Sequence, residues 1–241
     1  MQRRIPFKFL GRTPDDDLLH QVRPFGALDS GPAPNCVEVP GVGSVPQYAP
    51  TVYGDHTGFD PATDCQGYFT LFKFQVHNNC YSYAVDIASN SMALPGRLHG
   101  TAWPGDFEGD RVIQGALLDG LGFLAERGAR LSDVLEQTAD LDVGTLVALL
   151  IAPPDHSVGF PGDFHWVRCD DLETLSWSQK PGTDQASTLD FAGVPITDPS
   201  CASWSVNAGP LDPSKPDGPD FLTAYTFRAW MLVPDTGVDI I

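Results

Sequence analysis

An unbroken apolar run, Thr145-Leu146-Val147-Ala148-Leu149-Leu150-Ile151, follows Gly144 and is stopped by Pro153-Pro154. Neither side of such a stretch can be given to water, so it predicts a strand buried on both faces. A strand of that kind requires a layer on each side and neighbours along its edges. Those neighbours are visible downstream. Phe164–Arg168 and Thr174–Ser178, joined by the polar turn Asp170-Asp171-Leu172-Glu173, predict a hairpin, and Leu222–Val233 predicts a final strand. The chain has 241 residues and is 42% hydrophobic, enough to bury a core without staples.

Upstream of the run the period changes. Tyr83, Ala84, Ile87 and Ala88 recur at helical spacing and predict a helix from Cys80 to about Met92, with Asn78 or Asn79 as N-cap and Pro95-Gly96 as its end. Val112, Ile113, Ala116, Leu117, Leu121 and Leu124 form the apolar face of a second helix, Asp110 to Arg127, halted by Gly128. Leu131 to Ala139 predicts a short third helix. Tyr68–Val76 is read as a strand or as a core-packed approach to the first helix. Helices first and strands afterwards imply an α+β fold, with helices packed on an antiparallel sheet. Residues 1–66 are rich in Pro, Gly and Asp and form an irregular arm before the α+β domain of residues 67–241. Val37, Val39, Val45, Tyr48, Val52, Tyr53 and Phe59 give this arm apolar anchors, either for its own domain or for a partner. A long Pro/Gly/Asp-rich loop is expected from Lys180 to about Asp220.

The net charge of −17, from 31 acidic and 14 basic residues, repels phosphate backbones and anionic lipid. Nucleic acid and membrane surfaces are therefore poor partners. The longest apolar stretch, Thr145 to Pro154, falls well short of the ~20 residues a bilayer needs. Met1-Gln2-Arg3-Arg4-Ile5-Pro6-Phe7 lacks the apolar core of a secretory signal, so a cytoplasmic or non-classically exported protein is expected. Cysteines at 36, 65, 80, 169 and 201 are odd in number and lack CxxC spacing, which argues against a disulfide framework and a zinc ribbon. Asp155-His156 and Asp106-Phe107-Glu108-Gly109-Asp110 offer oxygen ligands without EF-hand spacing. No metal or other cofactor is expected.

The chemically suggestive stretch is His77-Asn78-Asn79-Cys80-Tyr81-Ser82-Tyr83-Ala84. A helix N-terminus favours a thiolate, and its free N–H groups can hold an oxyanion. Cys80 is the candidate nucleophile, with the amides of Asn79 and Gln75 (or Asn78) as oxyanion donors. A thiolate needs an imidazole partner. His165 alone of the histidines sits within a predicted strand, where alternation sets it on one face with Asp163 and Val167. Trp166, Trp177 and Trp103 are candidate substrate-binding walls, and equally ordinary core residues. Cys169 shares the face of His165.

A cysteine at a helix start, then an apolar strand, then a histidine strand and an adjacent strand: this order resembles the papain-like cysteine hydrolase superfamily in its NlpC/P60 and CHAP versions, over residues 75–180. The resemblance implies a nucleophilic Cys80, a His165 base and an orienting polar residue on the next strand, Gln179 or Ser178. It implies a thiol-dependent amide hydrolase, a cysteine peptidase or cell-wall amidase, acting on a peptide or peptidoglycan-like substrate. The alternative is a non-catalytic structural or interaction protein, such as a virion or assembly component, reaching a protein partner through its N-terminal arm.

Overall fold

The computed structural model describes residues 8–9, 35–103, 105–138, 144–210, 217 and 220–241. In chain order the strands are β1 (Lys8–Phe9), β2 (Asn35–Val39), β3 (Gly43–Gln47), β4 (Val52–Tyr53), β5 (Ile87–Ala88), β6 (Gly122–Glu126), β7 (Thr145–Ala152), β8 (Asp163–Asp171), β9 (Ser176–Gln179), β10 (Ser205–Pro210), β11 (Asp220–Ala224) and β12 (Thr226–Val233). The helices are α1 (Phe72–Gln75), α2 (Cys80–Ala84), α3 (Gly109–Leu118) and α4 (Leu131–Thr138).

The apolar run forms β7, the middle strand of a five-stranded antiparallel sheet of order β6-β12-β7-β8-β9. Its neighbours β8 and β12 cover both edges, pairing Leu150 with His165 and Ala148 with Trp230. Successive side chains point to opposite faces of the sheet. Val147, Leu149 and Ile151 pack with Phe164, Trp166, Ala229 and Met231 under α2 and α3. Leu146, Ala148 and Leu150 pack on the other face with Val167, Trp177, Trp230, Phe191, Ile196 and Trp204. Uninterrupted apolarity is thus consumed by two separate cores.

The expected α+β architecture, helices packed on an antiparallel sheet around a papain-like core, is overturned: the fold is mostly β. Besides the large sheet there are a three-stranded sheet β1-β10-β11 and the two-stranded pairs β2-β3 and β4-β5, and the helices between them are short. The first expected helix ends at Ala84 rather than near Met92. Asp86, Asn90 and Met92 all have left-handed φ (51°, 55° and 55°), and the intervening Ile87-Ala88 pairs with Val52-Tyr53. Asp and Asn tolerate that conformation where their side chains find local partners. The Asp86 carboxylate accepts from the His56 N–H, while the Asn90 amide donates to the carbonyls of Pro50 and Ala88.

The second expected helix also stops early, at Leu118. Gly120 turns the chain at φ 104°, in a position where a Cβ would meet the Gly237 carbonyl oxygen at 2.4 Å. Residues 122–126 then extend along β12, so edge pairing outweighs their helical spacing. The expected loop from Lys180 contains β10, and the expected final strand divides at Tyr225 into β11 and β12.

From residue 35 onward the described part of the arm docks on its own domain. The β2-β3 hairpin buries Val39 and Val45 against Ile241, with Leu98 alongside. Residues 1–7 and 10–34 lie outside the described residues. A buried guanidinium ties the arm to the sheet: Arg168 on β8 binds Asp64 (2.9 Å) and Asp170 (3.1 Å), lies 3.6 Å from Asp86, and stacks over Tyr83. Its side chain is only 2% exposed.

Candidate functional site

Cys80 opens α2, as its position after two asparagines predicts. Asn79 caps the helix, its Oδ1 accepting from the Ser82 N–H at 3.1 Å. The same amide donates to the Ala93 carbonyl at 2.7 Å, so both ends of Asn79 are engaged in the fold. Gln75 is similarly used, donating to the Thr183 carbonyl at 3.2 Å. Asn78 bridges the Phe74 carbonyl, Asn90 Oδ1 and the Asn90 N–H. These amides hold backbone together and present no donor pair to a cleft beside Cys80.

The thiol itself is buried and turns to the edge of β8, where its Sγ donates to the Phe164 carbonyl at 3.7 Å. Loss of water, reinforced by the negative charge of Asp163, pushes it up to about 12. Cys80 therefore stays protonated at neutral pH, and a thiol is a poor nucleophile.

His165 and Gln179 do meet. Nε2 of the imidazole lies 2.9 Å from Gln179 Oε1, and Gln179 Nε2 donates to the Leu189 carbonyl at 2.9 Å. Ser178, the other candidate for that place, instead bonds Tyr83 and Asp170. The imidazole lies among Phe191, Trp204 and Tyr225, all members of the core on the face away from α2. Phe164 and Trp166, its chain neighbours, belong to the core that contains Cys80. Strand alternation thus points the histidine side chain and those of its chain neighbours to opposite faces. Burial lowers the His165 pKa to about 4, so the ring is neutral at physiological pH. A protonated thiol and a neutral imidazole form no ion pair.

The three candidate tryptophans serve the fold. Trp166 and Trp177 are fully buried on opposite faces of the sheet, and half-buried Trp103 donates to the Pro95 carbonyl and stacks on Phe107. Cys169 is buried, its thiol raised to about 12 by burial. Of the acidic candidates, His156 and Asp106 pair with each other at 3.2 Å in an exposed position. Among the described residues, Asp55, Asp64 and Asp86 bring carboxylate oxygens within 4.8 Å of one another. Arg168 already supplies positive charge there, which opposes a second cation.

Sequence reasoning missed the buried cations. Lys180, read as turn punctuation, is fully buried, and its ammonium donates to the carbonyls of Gln75, Asn78 and Gly182. Burial draws its pKa down to about 7, opposed by the negative charge of Asp184. Its one legible signal was a lysine directly after a buried strand. Asp163 is half-buried, raised to about 6 by desolvation while accepting from the Tyr225 hydroxyl at 2.7 Å. These groups fasten loops to the sheet.

No helix among the described residues is long and apolar enough to cross a membrane. No family model matches the chain, and no solved structure matches it. Over 134 residues it is 33% identical to insoluble matrix shell protein 1 of Ruditapes philippinarum, an alignment spanning 56% of this chain and 76% of that protein. This relative overturns the expected hydrolase character, whether cysteine peptidase, thiol protease or amidase, and leaves a peptidoglycan substrate without support. It favours the non-catalytic structural alternative, in which contacts are with protein or matrix. With a third of the aligned residues identical over three quarters of the relative, the chain belongs to the family of insoluble matrix shell protein 1.

Proposed function

We propose that this chain is a non-catalytic structural component of an insoluble protein matrix. The kinship with a shell matrix protein carries the proposal. The placement of the chemically capable side chains supports it, because Cys80, His165 and Lys180 are buried, Asp163 is half-buried, and each is bonded within the fold. A buried, fully bonded polar set specifies one packing arrangement rather than a reaction. The surface left to act is acidic and available for contacts with other copies or with matrix.

The test compares the purified protein with Cys80→Ala under non-reducing conditions, measuring the fraction that sediments as assembled material. Both are expected to assemble to the same extent, and neither to release amines from a peptide mixture. A chain that stays monomeric at every concentration, or that cleaves peptides in a Cys80-dependent way, contradicts the proposal.

A further inference from the structure

The chain's five cysteines divide sharply by environment: Cys65, Cys80 and Cys169 are buried, while Cys36 and Cys201 are exposed. Burial raises all three interior thiols. Thiol chemistry with other molecules is thereby left to Cys36 and Cys201. These two belong to different layers. Cys36 lies on β2, in the hairpin packed on Ile241 and Leu98. Ile241 accepts from the Leu94 N–H, and Leu94 packs on the core under α2 and α3. Cys201 lies in the turn after Asp198, beside Ala202 and Trp204, which pack on the opposite core. The central sheet stands between them, whereas a disulfide needs Cα atoms within ~7 Å. The pair cannot close within one chain.

Their surroundings are oppositely charged. Cys201 lines a groove of about 760 Å³ that also carries Arg127 and Arg130, both exposed. The groove also carries Asp198, whose carboxylate accepts from Ser200, so two arginines against one acid leave it net positive on a chain of net charge −17. Cys36 instead shares its strand face with exposed Glu38, opposite Pro46 and Ser44 of β3. An acidic strand face bearing one thiol complements a basic groove bearing the other.

We propose that the Cys36/Glu38 face of one copy docks in the Arg127/Arg130 groove of a second copy, and that an intermolecular disulfide between Cys36 and Cys201 locks the contact. The proposal rests on the structural reading given above. Because the two surfaces differ, the contact is head-to-tail. Each copy keeps one free end, and growth continues as an open chain. A small-molecule disulfide serves as oxidant. The Cys201 thiolate attacks one of its sulfurs, forming a mixed disulfide and releasing one small thiol. The Cys36 thiolate of the neighbour then displaces the second, so two protein thiols are oxidised, one disulfide is reduced to two small thiols, and the two protons lost by the protein thiols end on those released thiols.

The experiment incubates the reduced protein with oxidised glutathione at low and high ionic strength, then reads non-reducing electrophoresis and maps linked peptides. The expected result is a ladder of multimers joined through mixed Cys36–Cys201 peptides, collapsed by dithiothreitol and formed faster at low salt. Cys36→Ser and Cys201→Ser should each abolish the ladder, and a mixture of the two should stop at the dimer. A ladder in the double variant, symmetric Cys36–Cys36 and Cys201–Cys201 linkages, or linking indifferent to salt overturns the proposal. Sedimenting assembly by the double variant would sink the cross-link alone and leave the structural function standing.

Discussion

Arg168 shows how much one side chain can organise. It gathers Asp64 from the arm, Asp86 from the turn after α2 and Asp170 from its own strand into a region nearly free of water. Removing it strands three carboxylates. Arg168→Leu should destabilise the fold by about 3–5 kcal/mol, read as a lowered urea midpoint. A midpoint within experimental error of the parent would show that the aspartates escape to solvent. His165 makes a different prediction. Its pKa falls from 6.5 in the unfolded chain to about 4 in the fold. Between these values the unfolded chain binds a proton that the folded chain refuses. The stability His165 supports is therefore complete above about pH 6.5 and is lost as the pH falls towards 4. At about 1.4 kcal/mol per pH unit, the full loss is on the order of 3 kcal/mol. Asp119 and Asp163, raised to about 7 and about 6, act in the opposite sense, so the parent profile alone is ambiguous. The difference between the parent and His165→Phe isolates the histidine: the parent should lose more stability than the variant from pH 7 to 4. Parallel profiles would mean the ring is hydrated or already charged.

At the scale of elements, the sequence was legible where one pattern decided the outcome. β7, the β8-β9 hairpin and α4 were readable from apolarity, turn chemistry and helical spacing. The stretches 80–92 and 110–127 were not, because a helical period was interrupted by left-handed residues and by pairing with distant strands. Asp86 owes its conformation to Arg168 and His56, partners that no local window contains. The Gly120 turn likewise depends on the approach of Gly237. Gly120→Ala should cost more than about 1 kcal/mol, combining a disfavoured φ with a clash, and thermal unfolding measures it. An unchanged melting temperature would show that the 237 segment simply moves away. Of the candidate site, the helix start at Cys80 and the meeting of His165 with Gln179 were readable. Which core each side chain enters was not. That depends on strand register, which a one-residue slip inverts.

For the whole molecule, two cores on either side of one sheet account for the reach of the fold. Cys80 and His165, which resemble a catalytic pair by order along the chain, each have a partner within the fold. The surface carries an excess of acid, a groove with two arginines, and two accessible thiols. Such a surface suits an assembling component whose contacts respond to salt and to thiol redox state. The measurement closest to this account is the alkylation of individual cysteines by iodoacetamide between pH 5.5 and 8.5, resolved by peptide mapping, in the native protein and in His165→Ala. Native protein should label at Cys36 and Cys201 alone, with Cys80 reacting only after unfolding and no imidazole-dependent reactivity below pH 7. Rapid labelling of Cys80 at pH 6, slowed by the His165 change, would contradict the account and place an ion-paired thiolate where the structure has a buried thiol.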